Sequence, residues 1–143
     1  IIPEANDSPE EIERMCQWIA REVGLDAPVH FTAFHPDFQL DDRGPTHAKT
    51  LAMAYDLARR AGLHYVYTGN VHDPEHQGTF CPNCSRLVIG RRGYTLSPYD
   101  LAGNRCPGCD TLIAGHYASE SGDWGGRRLP VRIDDYAISS HSR

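Results

Sequence analysis

The chain reads as an α/β protein, a β-α-β-α-β run followed by a small β unit folded around a metal ion. Three features predict this. Apolar residues recur at helical spacing near 12–23 and 51–58, β-branched and aromatic runs occupy 29–34 and 64–68, and four late cysteines form two Cys-Pro-x-Cys pairs. A helix repeats about every 3.6 residues and a strand every two, so the two patterns separate cleanly along the chain.

Ile1-Ile2 reads as the end of a buried strand, and a polypeptide that opens inside a strand is expected to be a piece of a longer one. Ser8-Pro9-Glu10-Glu11 is a helix start: Ser8 caps, Pro9 fits the first turn and Glu11 completes a capping box. Ile12, Met15, Cys16, Ile19, Ala20 and Val23 then form one apolar stripe, and Gly24 stops the helix. Cys16 is thereby a small core hydrophobe. Val29–Phe34 is a strand, Thr46 caps a second helix that runs to about Ala61 and stops at Gly62, and His64–Thr68 is the next strand. Strand, helix and strand with short links make a parallel βαβ unit, open or part of a barrel. Beyond Asp73-Pro74 the helical period is lost. Short strands are expected at Leu87–Ile89, Tyr94–Leu96 and Leu112–Ala114, and the tail from Asp134 is expected to be disordered.

The composition is that of a globular chain: 40% hydrophobic, 23% charged, with a formal net charge of −5 over 143 residues. No apolar run is long enough for a bilayer span, and no signal peptide is visible. Residues 1–80 carry 13 acidic and 6 basic side chains, whereas residues 81–143 carry 6 and 8. The split argues for two parts, 1–75 and 76–133, ahead of the tail 134–143. The acidic first part argues against nucleic-acid partners, because phosphate contacts need positive surface.

Five cysteines cannot all pair in disulfides, and a cytoplasmic location with metal-bound thiolates is the simpler expectation. Cys81-Pro82-Asn83-Cys84 and Cys106-Pro107-Gly108-Cys109 each let two sulfurs reach one ion from a tight turn, and together they supply the four thiolates of a structural zinc. Asn83 and Gly108 are expected to take the twist of the turns. Residues 81–114 hold too few apolar side chains for a core of their own, and the ion would supply the missing stability. Arg86, Arg91, Arg92 and Arg105 are placed to offset the −2 charge of a zinc tetrathiolate. A rubredoxin-like iron uses similar turns, so ligand identity alone leaves the metal open. Disulfides within or across the pairs and a [4Fe–4S] cluster fit the spacing less well.

Outside the cysteines the candidates are weaker. His35 ends a predicted parallel strand, where ligands of α/β folds bind. His72 and His76 could be ligands, but Pro74 between them breaks the helix that would align them. Trp124-Gly125-Gly126-Arg127-Arg128 is either a contact surface or self-packed. There is no G-x-S-x-G, phosphate loop, paired-carboxylate signature or HExxH in the sequence.

Ile2-Pro3-x-x-Asn6-Asp7-Ser8, His30-Phe31-Thr32-Ala33-Phe34-His35-Pro36, Tyr65-Val66-Tyr67-Thr68-Gly69-Asn70-Val71 and the two Cys-Pro-x-Cys turns occur here in order. Over about 1–133 the chain thereby resembles the carboxyl-terminal part of the radical S-adenosylmethionine enzyme of the AmmeMemoRadiSam system, which is similar to pyruvate formate-lyase activating enzymes. The resemblance implies the last part of a partial (β/α)6 barrel followed by a zinc ribbon, with His35 contacting S-adenosylmethionine. The family's [4Fe–4S] cluster sits on a CxxxCxxC loop that this sequence lacks, so no radical chemistry is expected of the chain alone. The implied partners are the amino-terminal barrel half and a protein substrate. The family usually has Gly where this chain has Glu4, which bears on the local turn. The alternative from another class is a stand-alone zinc-ribbon module that binds protein or nucleic acid.

Overall fold

The computed structural model describes residues 1–122, so the expectations for Trp124–Arg128 and for the tail from Asp134 lie outside the described residues. Helix α1 (Pro9–Trp18) starts where its cap signals say. Ser8 Oγ accepts from the Glu11 N–H at 3.3 Å, and Pro9 fills the first turn, where a missing N–H costs nothing. The return half of the expected capping box is replaced: Glu10, not Glu11, meets the cap and accepts the Ser8 hydroxyl at 2.8 Å. After Trp18 the helix widens for one turn (Ile19–Val23), closed by Gly24 N–H on the Ile19 carbonyl, and Gly24 ends it at φ 120°. Of the apolar stripe, Ile12 and Cys16 are buried, whereas Met15 and Val23 are 41% and 61% exposed. The widened turn changes the helical phase for Val23, and Met15 lines an open groove beside the first strand.

Strands β1 (Val29–Thr32) and β2 (Val66–Gly69) pair in parallel around α2 (Ala48–Arg60), with His30 opposite Tyr67. The expected βαβ unit is present. The expected first strand is not: Ile1 donates its amino group to the Thr32 carbonyl at 2.7 Å and accepts from Phe34 N–H at 3.2 Å, but no ladder develops. The amides of Val29 and Ala33 are spent on Tyr65 and Gly69, so Ile1 lies on the opposite edge of β1 from β2. The chain then turns away at once, with the Ala5 and Asn6 amides both bonded to the Ile2 carbonyl.

Thr46 is buried rather than a helix cap. Its hydroxyl donates to the Ile1 carbonyl at 2.6 Å and accepts from Phe34 N–H at 2.8 Å, tying three segments together. The cap position falls to His47, which makes no side-chain bond there.

Two clusters of buried side chains result. One packs Ile12 and Cys16 of α1 against Leu51, Ala54 and Ala58 of α2 and Phe31 of β1. The other gathers Val88, Ile89 and Ile113 around Cys81, Cys106 and Tyr65. Successive residues of extended chain face opposite ways, and β2 with the residue before it serves both clusters accordingly: Val66 faces the helices, while Tyr65 and Tyr67 face the cysteine unit. Tyr65 Oη accepts the Ala114 N–H at 2.9 Å, and burial pushes the phenol up from its ordinary value.

The second sheet is antiparallel, in the order β3 (Thr79–Phe80), β4 (Leu87–Arg92), β5 (Thr95–Tyr99). Strands β4 and β5 run longer than expected, and β3 had no visible signal because two residues carry no period. Leu112–Ala114 is not a strand. Ile113 N–H goes to the Asn104 carbonyl and Ala114 N–H to Tyr65, leaving a single bridge between Leu112 and Arg105. Gly90 marks a bulge, with the pairing shifting between Ile89 and Arg91, and a Cβ there would run into the Ser97 carbonyl. Gly90→Ala is therefore expected to lower stability by roughly 1–3 kcal/mol, read as the shift in urea midpoint of the metal-loaded protein.

Candidate metal centre

The two cysteine turns are built alike. In the first, Cys81 N–H donates to the Arg86 carbonyl at 2.8 Å and Ser85 N–H to the Cys81 carbonyl at 3.0 Å. In the second, Cys106 N–H donates to Thr111 at 2.9 Å and Asp110 N–H to Cys106 at 2.8 Å. The left-handed residue of each turn is Ser85 (φ 60°) or Asp110 (φ 58°), not the expected Asn83 and Gly108. Asp and Ser tolerate that region through local hydrogen bonding, so sequence offered a weak signal there. Gly108 has a different reason: a Cβ would sit 3.3 Å from Cδ of Arg86, which lies across the second turn.

The four sulfurs converge. Cys81 and Cys109 Sγ are 3.5 Å apart, Cys84 and Cys106 Sγ are 3.6 Å apart, and all four lie within 4.8 Å of one another. A zinc tetrathiolate with bonds of about 2.3 Å has sulfur–sulfur edges of about 3.8 Å. The donor set therefore fits one tetrahedral ion. The cysteines are unpaired, the nearest sulfurs standing 3.5 Å apart, well beyond the length of a disulfide bond. Among the described residues this is the one group of three or more His, Cys, Asp or Glu side chains able to hold an ion. Four protein ligands fill every coordination position of a tetrahedral ion.

The sulfurs do not titrate alike. For Cys84 the Arg86 backbone amide pulls the thiol down, but hydrogen bonds with Cys109, Cys106 and Cys81, together with desolvation, push it up to about 12. Cys109 moves the other way, to about 5, held by the Thr111 hydroxyl, then the Thr111 amide and Asn83. One sulfur ionises readily and its neighbour resists, as crowded groups that would carry like charge do. Of the four arginines expected to offset the charge, two stand beside the turns. Arg86 pairs with Asp100 at 2.7 Å, and Arg105 donates to the Asp110 carbonyl at 2.7 Å. Arg91 points elsewhere, donating to the Gln77 carbonyl and Thr79 Oγ1.

His35 follows β1 and is exposed, its Nδ1 3.3 Å from Asp37 Oδ2. His72 and His76 do not meet at a common ion. His76 instead pairs with Asp73 at 2.8 Å, against the ring of Tyr55, while Thr68 donates its hydroxyl to the same carboxylate at 3.1 Å. Sequence spacing gave no sign of this cluster, nor of the meeting of His30, Tyr67 and Arg91 across the two sheets.

Fold and site define a small α/β protein with a parallel two-stranded sheet, an antiparallel three-stranded sheet and a four-cysteine metal-binding cluster. The chain is 40% identical, over 115 residues, to the uncharacterized protein MJ0808 of Methanocaldococcus jannaschii. The match covers 79% of this chain but 34% of that protein, so the chain spans about a third of the length of the curated relative it matches. No protein-family model and no solved structure matches the chain. No helix among the described residues is long and apolar enough to cross a membrane.

Proposed function

We propose that the four sulfurs hold a structural zinc in a ribbon formed by residues 76–133, and that residues 1–75 are the carboxyl-terminal portion of a radical S-adenosylmethionine barrel similar to pyruvate formate-lyase activating enzymes. The observation that carries the barrel reading is Ile1, bonded in the parallel sense along the outer edge of β1. Below it an apolar groove of about 400 Å³, lined by Ile12, Met15, Ile19 and Phe31, lies open where the preceding barrel strands and their helices would pack. Glu4 adds support: it holds φ 62°, the left-handed conformation that suits the glycine of the related enzymes, with its N–H fixed by the Asp7 carboxylate at 2.9 Å. The length of the archaeal relative leaves room for the missing barrel half.

In this reading the zinc holds the ribbon together and takes no part in chemistry. His35, exposed just beyond the carboxyl end of β1, supplies a rim contact to S-adenosylmethionine, and the cluster comes from the amino-terminal half. The partners are that half and a protein substrate, in the cytoplasm. The test uses the complete gene product. Reconstituted with iron and sulfide and then reduced, it should give the electron paramagnetic resonance signal of a [4Fe–4S]⁺ cluster that changes on adding S-adenosylmethionine, and His35→Ala should weaken that binding about tenfold. A complete product with no CxxxCxxC loop and no cluster signal favours the second reading, a stand-alone zinc-ribbon module that binds protein. The separate buried cluster around Val88, Ile89 and Ile113 supports that reading.

A further inference from the structure

We propose that the cleft between the β1–β2 sheet and the β4–β5 hairpin is a binding site for a small organic carboxylate, with Arg91 as its anchor. The cleft has a volume of about 430 Å³, within the usual range of small-molecule sites, and the rings of His30 and Tyr67 form one wall. Arg91 reaches it from the end of β4. Its Nη1 donates to Thr79 Oγ1 at 2.8 Å and to the Gln77 carbonyl at 3.1 Å, and its guanidinium carbon lies 5.1 Å from the centre of the Tyr67 ring. Tyr67 is fixed in turn, its hydroxyl 3.1 Å from Thr79 Oγ1 and its ring stacked on His30 at 4.8 Å. The guanidinium is thus held in one orientation before any ligand arrives.

Every contact it makes is with a neutral group. Among the described residues Arg21, Arg43, Arg86 and Arg105 have carboxylate partners, but Arg91, half-buried, has none. Its Nε and Nη2 make no hydrogen bond among the described residues, and they form the side-on edge of the fork that matches the two oxygens of a carboxylate. A half-buried cation whose free N–H edge has no carboxylate partner offers a bound anion a charge-assisted contact.

Charge and shape narrow the class. No second Lys or Arg lines the cleft, and residues 1–80 carry a balance of −7, so a monoanion is favoured over a doubly charged phosphate. The flanking His30 and Tyr67 rings and Pro28 suit a flat or apolar body behind the carboxylate. At the mouth, Gly93 sits in the hairpin turn at φ 58° with no side chain to close the entrance. The proposal concerns a surface distinct from the sulfur site and stands with either reading of the whole protein.

The test is a titration of the ¹⁵N-labelled, zinc-loaded protein with sodium benzoate, followed by amide chemical shifts. Saturable shifts at Gln77, Thr79 and Gly93 in the millimolar range are expected. Arg91→Gln should weaken binding by at least about tenfold, the scale of one lost bidentate charge-assisted contact. Because Arg91 also braces Thr79, His30→Ala is the second variant; it leaves the anchor in place and should weaken benzoate more than it weakens acetate. The absence of saturable shifts, equal affinity in the Arg91→Gln protein, or inorganic phosphate binding as tightly as benzoate would each overturn the assignment.

Discussion

Stripping the metal from the four sulfurs is expected to unfold residues 79–114 while leaving the α1–α2 packing largely in place. The cause is the size of the second core. Two of its buried members, Cys81 and Cys106, are themselves ligands, and the aliphatic remainder is Val88, Ile89 and Ile113. Burying three such side chains contributes roughly 5–9 kcal/mol. A structural zinc supplies on the order of 10–16 kcal/mol of apparent binding free energy, the larger of these two contributions. Chelation should therefore abolish amide dispersion and exchange protection across 79–114. Residues of α1 and α2 should keep theirs, because Ile12, Cys16, Leu51 and Ala58 bury one another without the sulfur unit. Full dispersion after exhaustive chelation would count against a structural ion.

The second large effect is expected at Leu51. It is fully buried on α2, in the cluster formed with α1 and β1. Leu51→Ala should cost roughly 2–5 kcal/mol, since the transfer term is lost and a cavity stays behind. The urea midpoint of the metal-loaded protein checks this. Met15 provides the control: at 41% exposure, Met15→Ala should change stability by no more than about 0.5 kcal/mol in this chain. If the groove beside β1 is filled in the complete protein, the same change there should cost several times more. An equally small effect in both would argue against the barrel reading.

The parts of the fold that were legible in the sequence are those where one residue pattern has one physical meaning. Ser8-Pro9 started α1, Gly24 and Gly62 closed the two helices with positive φ, and the β-branched and aromatic runs gave β1 and β2. The four ligands were legible for the same reason, since two Cys-Pro-x-Cys turns have few other uses. Failures came where one residue type serves two purposes. Thr46 has the composition of a helix cap and instead spends its hydroxyl on Ile1 and Phe34, a choice made by segments distant in sequence. Leu112–Ala114 has strand composition, but its amides are claimed by Asn104 and Tyr65. Arg91 counted in the sequence as one more positive charge near the sulfurs. Only the register of β4 against β3 and the position of β2 carry it to Tyr67.

The twin construction of the cysteine turns has a kinetic consequence. Each is a two-pronged clip latched by its own pair of main-chain bonds. An ion held by both clips would be expected to leave by halves, one clip opening while its twin retains hold. The outward-facing prong is Cys84, the only exposed one of the four. A competing thiol in solution is therefore expected to reach a bound ion first at that sulfur.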